Sequence, residues 1–503
     1  MTPPPSAPAL MIDTVIVTTG QLPAIVFEGP GAAPAEFRLH ASRQVLPAQL
    51  IALGSRWSAR VPLLVSNWSG PLLPARSGRY TVHAAAADGS RMSLQLPTKL
   101  PASQQLPAVT RVSVTSPDGS LVVTLSSPLS DRERGRLQQA SLESDYRATE
   151  YEPMDAVFFE SFYGQNASCN PLAIDRALSR LRPDIERYWS VSDASVPVPD
   201  GAVALLEGSA EWWRIRGSAR LLVVNDWLRK RYRSRRHQTV LQTWHGTMLK
   251  KLALSRSRLG LRPAIATLRE RARWDILLAQ NPYSRGIFRR AYAFTGSVWE
   301  EGYPRDDVLV TGNPELIRAR LGISEGVTVL LYAPTWRDDR PDHVDHLDVA
   351  HFAELLGDDY VTLIRGHSRT LLPGEDVHAP NVLDVTGYPD VSELFLVADA
   401  LITDYSSVMF DFTVTGKPVF FFTPDLEHYR QKLRGFYFDL MPVAPGPVVS
   451  TAEELVALVQ DRDAVQQRFA DKYRAWRERF NPRDDGQAAD RVVQRLLAEG
   501  IIG

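Results

Sequence analysis

The sequence predicts an α/β protein in which two Rossmann-type, doubly wound units face a cleft, preceded by a small all-β, sandwich-like N-terminal domain. Three observations predict it. From about residue 151 onward, short continuous apolar runs alternate with helical stretches, the pattern of parallel strands joined by crossover helices. The polar motifs stand directly after those runs, at the carboxyl ends of strands, where open α/β sheets bind ligands. The first 130 residues, by contrast, are rich in Pro, Ser, Val and Thr, and turn dipeptides punctuate their β-branched runs.

At 503 residues the chain has room for about three domains of roughly 150 residues each. Its 44% hydrophobic and 23% charged content is that of an ordinary folded protein and excludes wholesale disorder or a collagen-like chain. The single cysteine, Cys169, excludes an intrachain disulfide and any multi-cysteine metal site. Residues 1–20 lack the basic and apolar regions of a signal peptide, and no run of about 18 uncharged apolar residues occurs. A cytoplasmic protein without a membrane-spanning helix is therefore expected.

In the first domain, 1–130, a hairpin is predicted over 111–125 around Pro117-Asp118-Gly119. Asp88-Gly89 predicts a second, between Tyr80-Thr81-Val82 and Met92-Ser93-Leu94. Residues 131–150 read as a helical linker. In the domain 151–305, strands are predicted at 156–160, 188–191, 203–206, 220–225, 240–243 and 276–279, with Asn170-Pro171 opening a helix. In the domain 306–480, strands are predicted at 328–332, 360–364, 400–403 and 418–422, with helices at 393–397 and 407–415. An amphipathic stretch over 451–497 breaks at Asn481-Pro482, which sets off 481–503 as a terminal helix.

Five motifs carry candidate chemistry. The first, QTWHGT (242–247), follows a strand directly. There His245 is placed to face the cleft, Gly246 allows a tight turn or close ligand approach, and Thr247 and Lys250 stand beside it. The second, YAPTWRD (332–338), ends its strand at Pro334 and presents Arg337, whose planar fork suits phosphate. An ion pair of Arg337 with Asp338 or Asp339 is the competing reading. The third, LIRGHS (363–368), offers His367 as a second candidate acid, base or phosphate donor.

The fourth, LITDYSSVMFD (401–411), is the most informative. A strand ends at Thr403-Asp404, and Ser406 or Ser407 is placed to cap the next helix. The helix start is also an anion site to which the hydroxyls add donors. Asp411, one turn in, is expected to reach a ribose or substrate hydroxyl. The fifth, RGFY (434–437), brings Arg434. No P-loop, no HExxH and no cluster of aspartates for two metals is legible, so no metal or cofactor is expected. Phosphate would be held by hydroxyls, amides, His and Arg.

These motifs, together with GYPRDD (302–307), which carries Arg305, occur in an order that resembles the CDP-glycerol glycerophosphotransferase family, the teichoic-acid primases and polymerases. The likeness spans about 156–439. It implies a GT-B-type fold and transfer of a polyol phosphate, foremost glycerol phosphate, from a CDP-activated donor to a hydroxyl of a lipid-linked glycan or growing poly(polyol phosphate), with release of CMP. It implies His245 as the base for the acceptor hydroxyl. It also implies His367, Arg337, Arg434, Ser406 and Ser407 as holders of the pyrophosphate. Gly246, Thr247, Lys250 and Arg305 fall on the acceptor side, and Thr403, Asp404 and Asp411 on the donor side. The sequence departs from the family's pattern at Met248, where Pro is usual, and at Gly366, where Pro or Leu is commoner. The N-terminal β domain is no part of the family core.

A net charge of −1 conceals one lopsided stretch: between Arg229 and Arg273 stand fourteen Lys or Arg and a single acid, Glu270. Such a block attracts phosphate, nucleic acid or anionic lipid, unless it is only a solvated face. With Leu259, Leu261, Ile265 and Leu268 among the cations it reads as a basic amphipathic segment, and the resemblance implies peripheral binding to the inner membrane face. The alternative is a hold on the anionic polymer. No nucleic-acid-binding motif accompanies the charge. Two other readings of the whole chain stand beside the first: a GT-B glycosyltransferase using a nucleotide sugar, and a non-catalytic anionic-polymer-binding protein.

Overall fold

Alternate residues of the N-terminal strands turn inward. Val15 and Val17 are buried and Ile16 exposed in Thr14–Thr18, and Tyr80, Val82 and Ala84 point inward from Gly78–Ala85. The computed structural model describes residues 8–228, 232–256, 259–335, 347–366, 379–424 and 435–503. These form two units. The first comprises the chain up to Ala140 with Val191–Pro197 and Leu206–Ser209, and the second comprises the rest.

Among its described residues the first unit holds a four-stranded antiparallel sheet, in the order Thr14–Thr18, Ala24–Pro30, Arg56–Pro62, Gln49–Leu53. A six-stranded antiparallel sheet runs Gln104–Leu106, Thr110–Thr115, Val122–Ser126, Gly78–Ala85, Glu36–Ala41, Gln44–Pro47. The two share one apolar core. Phe27 of the first sheet lies 5.0 Å, ring to ring, from Phe37 of the second, which in turn lies 5.9 Å from Trp57 of the first. The arrangement is a sandwich. The hairpin at Pro117-Asp118-Gly119 is present, joining Thr110–Thr115 to Val122–Ser126. That at Asp88-Gly89 is present but short: Ala86 N donates to Ser90 O, Met92 N donates to Ala84 O and Ala85 bridges Arg91, after which Ser93–Gln95 pairs in parallel with Ala9–Met11. Asp88 makes the tight turn by accepting from Ser90, but it does not decide which strand the departing chain joins.

In the second unit the strands are β1 (Met154–Glu160), β2 (Glu186–Val191), β3 (Val203–Leu206), β4 (Ala219–Val224), β5 (Thr239–Gln242), β6 (Ile276–Ala279) and β7 (Ser297–Glu300). They form one sheet in the order β3-β2-β1-β4-β5-β6-β7. A second sheet is built from β8 (Thr328–Ala333), β9 (Tyr360–Ile364), β10 (Val382–Asp384), β11 (Ala400–Thr403), β12 (Val419–Phe422) and β13 (Val448–Val449), in the order β10-β9-β8-β11-β12-β13. This is the Rossmann order twice over, with parallel neighbours. The chain has the GT-B-like pair of doubly wound sheets. Strand order reverses between β1 and β4 and again between β8 and β11, so each sheet opens a crevice at those carboxyl ends.

Every strand predicted in this unit is present with its ends within two residues. The strands that periodicity did not predict, β7, β10 and β13, are edge strands of four residues or fewer. An edge strand is covered on fewer sides and needs no continuous apolar run. The helix expected over 407–415 is an α-helix over Val408–Phe412 followed by a 3-10 turn, Thr413–Thr415, which Gly416 ends in the left-handed region. The C-terminal stretch is three helices, Ala452–Gln460, Arg462–Phe480 and Ala488–Ala498, and the last packs on Cys169–Leu181.

The segment between the last two helices is stitched to both sheets. Asn481 donates to Phe410 O and accepts from Thr413. Asp484 accepts from Tyr303 N and Gln280. Asp307 accepts from Ala488 N and Ala489 N and so caps the final helix.

Candidate active site

Beyond β5 the backbone leaves regular structure abruptly: Trp244 sits at φ +57° and Gly246 at φ +151°. Such a loop persists only where neighbours over-determine it. Asn170 Nδ2 donates to Thr243 O and Trp244 O, at 3.1 Å each, and Gln242 Oε1 accepts from Trp244 N at 2.9 Å. The Trp244 ring is wedged edge-on against Trp274, Phe288 and Tyr292 and offers its face to His245, 5.1 Å away and 13° from parallel.

His245 Nδ1 lies 2.7 Å from Asn225 O, just past β4 at the first switch point. A carbonyl only accepts, so Nδ1 carries the hydrogen, and in the neutral ring Nε2 carries the lone pair. Among the described residues Nε2 has no partner. Burial, with the Arg305 guanidinium, holds the ring's pKa below its ordinary value, against the opposing pull of Asp226 and the Asn225 carbonyl. His245 is thus a neutral imidazole at pH 7 with a free basic nitrogen.

The second sheet brings LITDYSS to the same place. Thr403 is buried and donates to Ala333 O at 2.7 Å. Asp404 is buried too, and it accepts from Thr335 N at 2.9 and 3.1 Å and from Tyr405 N at 2.5 Å. Both residues brace the second switch point through bonds to the chain around it. Ser406 and Ser407 are half-buried, and Ser407 precedes the helix with φ −64° and ψ −14° without its side chain making a cap bond. The expected cap is therefore absent. Among the described residues both hydroxyls are without partners, available to an outside group. A helix of five residues adds little dipole, so the hydroxyls carry the case for an anion here.

The two halves meet at these loops. A Cβ on Gly246 would stand 3.2 Å from Ser407 Oγ, so the glycine is required both by its φ and by this approach. The backbone of 249–251 runs beside that of 435–437: Lys250 bridges to Phe436, Lys251 N donates to Gly435 O at 3.0 Å, and Tyr437 N donates to Leu249 O at 2.8 Å. Thus the QTWHGT and RGFY motifs adjoin.

Three residues stand elsewhere than expected. Arg305 is buried, donating to Asp411 Oδ2 at 2.6 Å, His245 O at 3.1 Å and Cys169 Sγ at 3.4 Å, so its fork is spent on the protein. Asp411 is buried against it, with Oδ2 engaged by the guanidinium. Thr247 lies in the interior, donating to Gln280 Oε1 at 2.5 Å and accepting from Asn281 at 3.1 Å. Arg337, His367 and Arg434 lie outside the described residues. Arg365, beside His367 in sequence, is half-buried and donates to Val385 O and Tyr388 O.

Several polar residues of the site were not singled out from sequence. Asn225 and Asp226 fix the tautomer and the field of His245, and Tyr163 donates to Asp226 at 2.8 Å. Their signal was present, a polar pair directly after a buried strand. Asn170 was noted only as a helix opener. Asp306 and Asp484, both bonded to Gln280, are distant in sequence, and nothing local announces that they meet. Burial and the nearby carboxylates push Asp306 well up, and burial pushes Asp484 up to about 6. Among the described residues no group of three His, Cys, Asp or Glu is arranged to hold a metal ion.

A family model described as CDP-glycerol:poly(glycerophosphate) glycerophosphotransferase matches residues 146–498. The teichoic acid poly(glycerol phosphate) polymerase of Bacillus subtilis (strain 168) is 37% identical over 365 residues, covering 68% of this chain and 48% of that protein. The teichoic acid glycerol-phosphate transferase of Staphylococcus aureus is 34% identical over 365 residues, covering 68% of this chain and 92% of that protein. The chain spans about half the length of the Bacillus subtilis and Staphylococcus epidermidis polymerases that it matches. A solved structure of the wall teichoic acid polymerase TagF matches with a TM-score of 0.67 at 34% identity, over 72% of this chain and 94% of that one. Another, with a single histidine replaced, was soaked with CDPG.

Proposed function

Since the chain belongs to the CDP-glycerol:poly(glycerophosphate) glycerophosphotransferase family, we propose that it transfers glycerol phosphate from CDP-glycerol to a hydroxyl of a lipid-linked or growing teichoic-acid-type polymer. The observation that carries this reading is the His245 Nδ1 to Asn225 O bond, which leaves Nε2 as a free base beside the unengaged hydroxyls of Ser406 and Ser407. In the proposed step the acceptor oxygen attacks the phosphorus that bears glycerol. The bond from that phosphorus to the bridging oxygen breaks, CMP departs with the electron pair, and Nε2 takes the acceptor's proton. Such transfers need positioning and charge stabilisation more than covalent help. The serine hydroxyls bind the pyrophosphate; Arg337, Arg434 and His367 join them as further phosphate donors.

The enzyme works at the inner membrane face in this proposal. Support comes from helix Leu261–Arg271, where Leu261 is 83%, Ile265 47% and Leu268 39% exposed on one face, while Thr267 and Glu270 are buried on the other. Arg262 and Arg269 are exposed beside the apolar stripe. No described helix is long and apolar enough to cross a membrane.

The deciding assay is release of CMP from CDP-glycerol with a lipid-linked or short polyol-phosphate acceptor. Acceptor-dependent release that falls roughly 10²–10⁴-fold in His245→Ala is the expected result. A variant that keeps more than about a tenth of the wild-type rate overturns the base role. Release of UDP or GDP from a nucleotide sugar instead would assign the fold to glycosyl transfer.

A further inference from the structure

Three consecutive carbonyls of the His245 loop are held from outside it. Asn170 takes those of Thr243 and Trp244, and Arg305 Nη1 takes that of His245. The two holders are joined, because Arg305 N donates to Asn170 Oδ1 at 3.1 Å. The second arm of the same guanidinium, Nη2, donates to Asp411 Oδ2 at 2.6 Å. Asp411 lies in the short helix that begins directly after Ser406-Ser407. One planar fork therefore grips the peptide that carries the imidazole with one nitrogen and the element that carries the hydroxyls with the other.

We propose that Arg305 and Asp411 form a positioning clamp that fixes the imidazole of His245 relative to the hydroxyls of Ser406 and Ser407. Its catalytic meaning rests on the transfer reading given above. The pair acts through His245; its side chains are 7% and 2% exposed and spend their bonds on the protein.

General stability is a poor reason for such a pair. Removing two charges from water costs about as much as their attraction returns, and a well-packed apolar pair of like volume serves folding equally well. Nor is this pair fully satisfied, since Arg305 Nε and Asp411 Oδ1 have no hydrogen-bond partner, Nε standing 3.9 Å from Asp306 Oδ1. What an apolar pair cannot do is hold a carbonyl in a strained loop, with Trp244 at φ +57° and Gly246 at φ +151°, at a set distance from a second element. A lysine cannot do it either, as its single nitrogen lacks the two diverging arms.

The test uses the full chain carrying Arg305→Met with Asp411→Leu, which removes both charges together and so leaves neither buried alone. Melting temperature, CDP-glycerol affinity by calorimetry, kcat for CMP release and the ¹⁵N spectrum of the histidine rings are compared with wild type. The double variant is expected to fold and to bind CDP-glycerol within about threefold of wild type, while kcat falls about 10²-fold, the usual effect of displacing a reacting group by an ångström. The His245 ring signals are expected to change from one tautomer, protonated at Nδ1, to an average of two. A folded double variant with wild-type kcat, or with an unchanged His245 spectrum, overturns the clamp. Should the double variant not fold, Arg305→Lys keeps the buried charge and decides the matter: it loses kcat at unchanged donor affinity if the fork is the clamp, and wild-type kcat refutes it. If wild-type protein releases no CMP, the transfer reading falls, and the ring spectrum alone still decides whether the clamp sets the imidazole.

Discussion

The main-chain oxygen of Asn225 sits 2.7 Å from Nδ1 of His245 and so dictates which nitrogen of the ring keeps its lone pair, the one proposed as the base. Burial then lowers the ring's pKa from its ordinary 6.5, with Arg305 adding to the effect. A base works in its deprotonated form, so activity is present above the folded pKa and is lost as pH falls through it. The acid limb of kcat/KM is therefore expected below pH 6.5, with a level rate between about pH 7 and 8. A limb centred at 7 or higher, measured by CMP release at saturating acceptor, would contradict the neutral imidazole.

Ser406 and Ser407 offer two hydroxyls that the protein itself does not use. Hydrogen bonds to a charged group are worth about 1.5–3 kcal/mol each, so Ser406→Ala with Ser407→Ala should weaken CDP-glycerol binding by at least tenfold. Calorimetry reads this directly. Affinity equal to that of wild type would remove these serines from the phosphate site.

Gly246 combines a positive φ with the approach of Ser407. Gly246→Ala is expected to cost about 1 kcal/mol in backbone strain, a fall of roughly 1–3 °C in Tm, with a larger loss in rate because the His245 loop must shift. An alanine variant equal to wild type in both would mean that the two loops do not approach as described.

The exposed stripe of Leu261, Ile265 and Leu268 gives a separate prediction. Flotation with phosphatidylglycerol vesicles should retain the wild-type protein at low salt and release it at high salt, as surface electrostatics is screened over about 10 Å at 0.1 M. Changing all three residues to Ser should reduce bound protein several-fold at any salt. Binding that is indifferent to both changes would assign the stretch to another role.

Much of this architecture was legible because buried parallel strands must be continuously apolar, and their polar successors then mark the ligand edge by position alone. That logic singles out His245, Ser406 and Ser407, whose Nε2 and hydroxyls have no partner among the described residues. It failed for Arg305, Asp411 and Thr247, where a polar residue in a motif was taken to face a ligand but is spent on holding the motif in shape. A local sequence window carries no mark that separates the two, because the partner that consumes the side chain lies up to 136 residues away. The same distance hides Asp484, which meets Gln280 across 204 residues. Edge strands escaped for the opposite reason: with fewer neighbours to satisfy, their composition is under little constraint.

The segment 481–489 ties Phe410, Thr413, Tyr303, Gln280 and Asp307 together, although it is made after all of them. A ribosome that has finished both sheets has still not delivered this last set of bonds between the two halves. Domains generally fold as units during synthesis, the earlier one first. The nascent chain therefore passes through a stage in which the halves touch through Arg305 and Asp411 but lack the bonds of the closing stretch. The contacts between the halves are complete only when the closing stretch clears the exit tunnel.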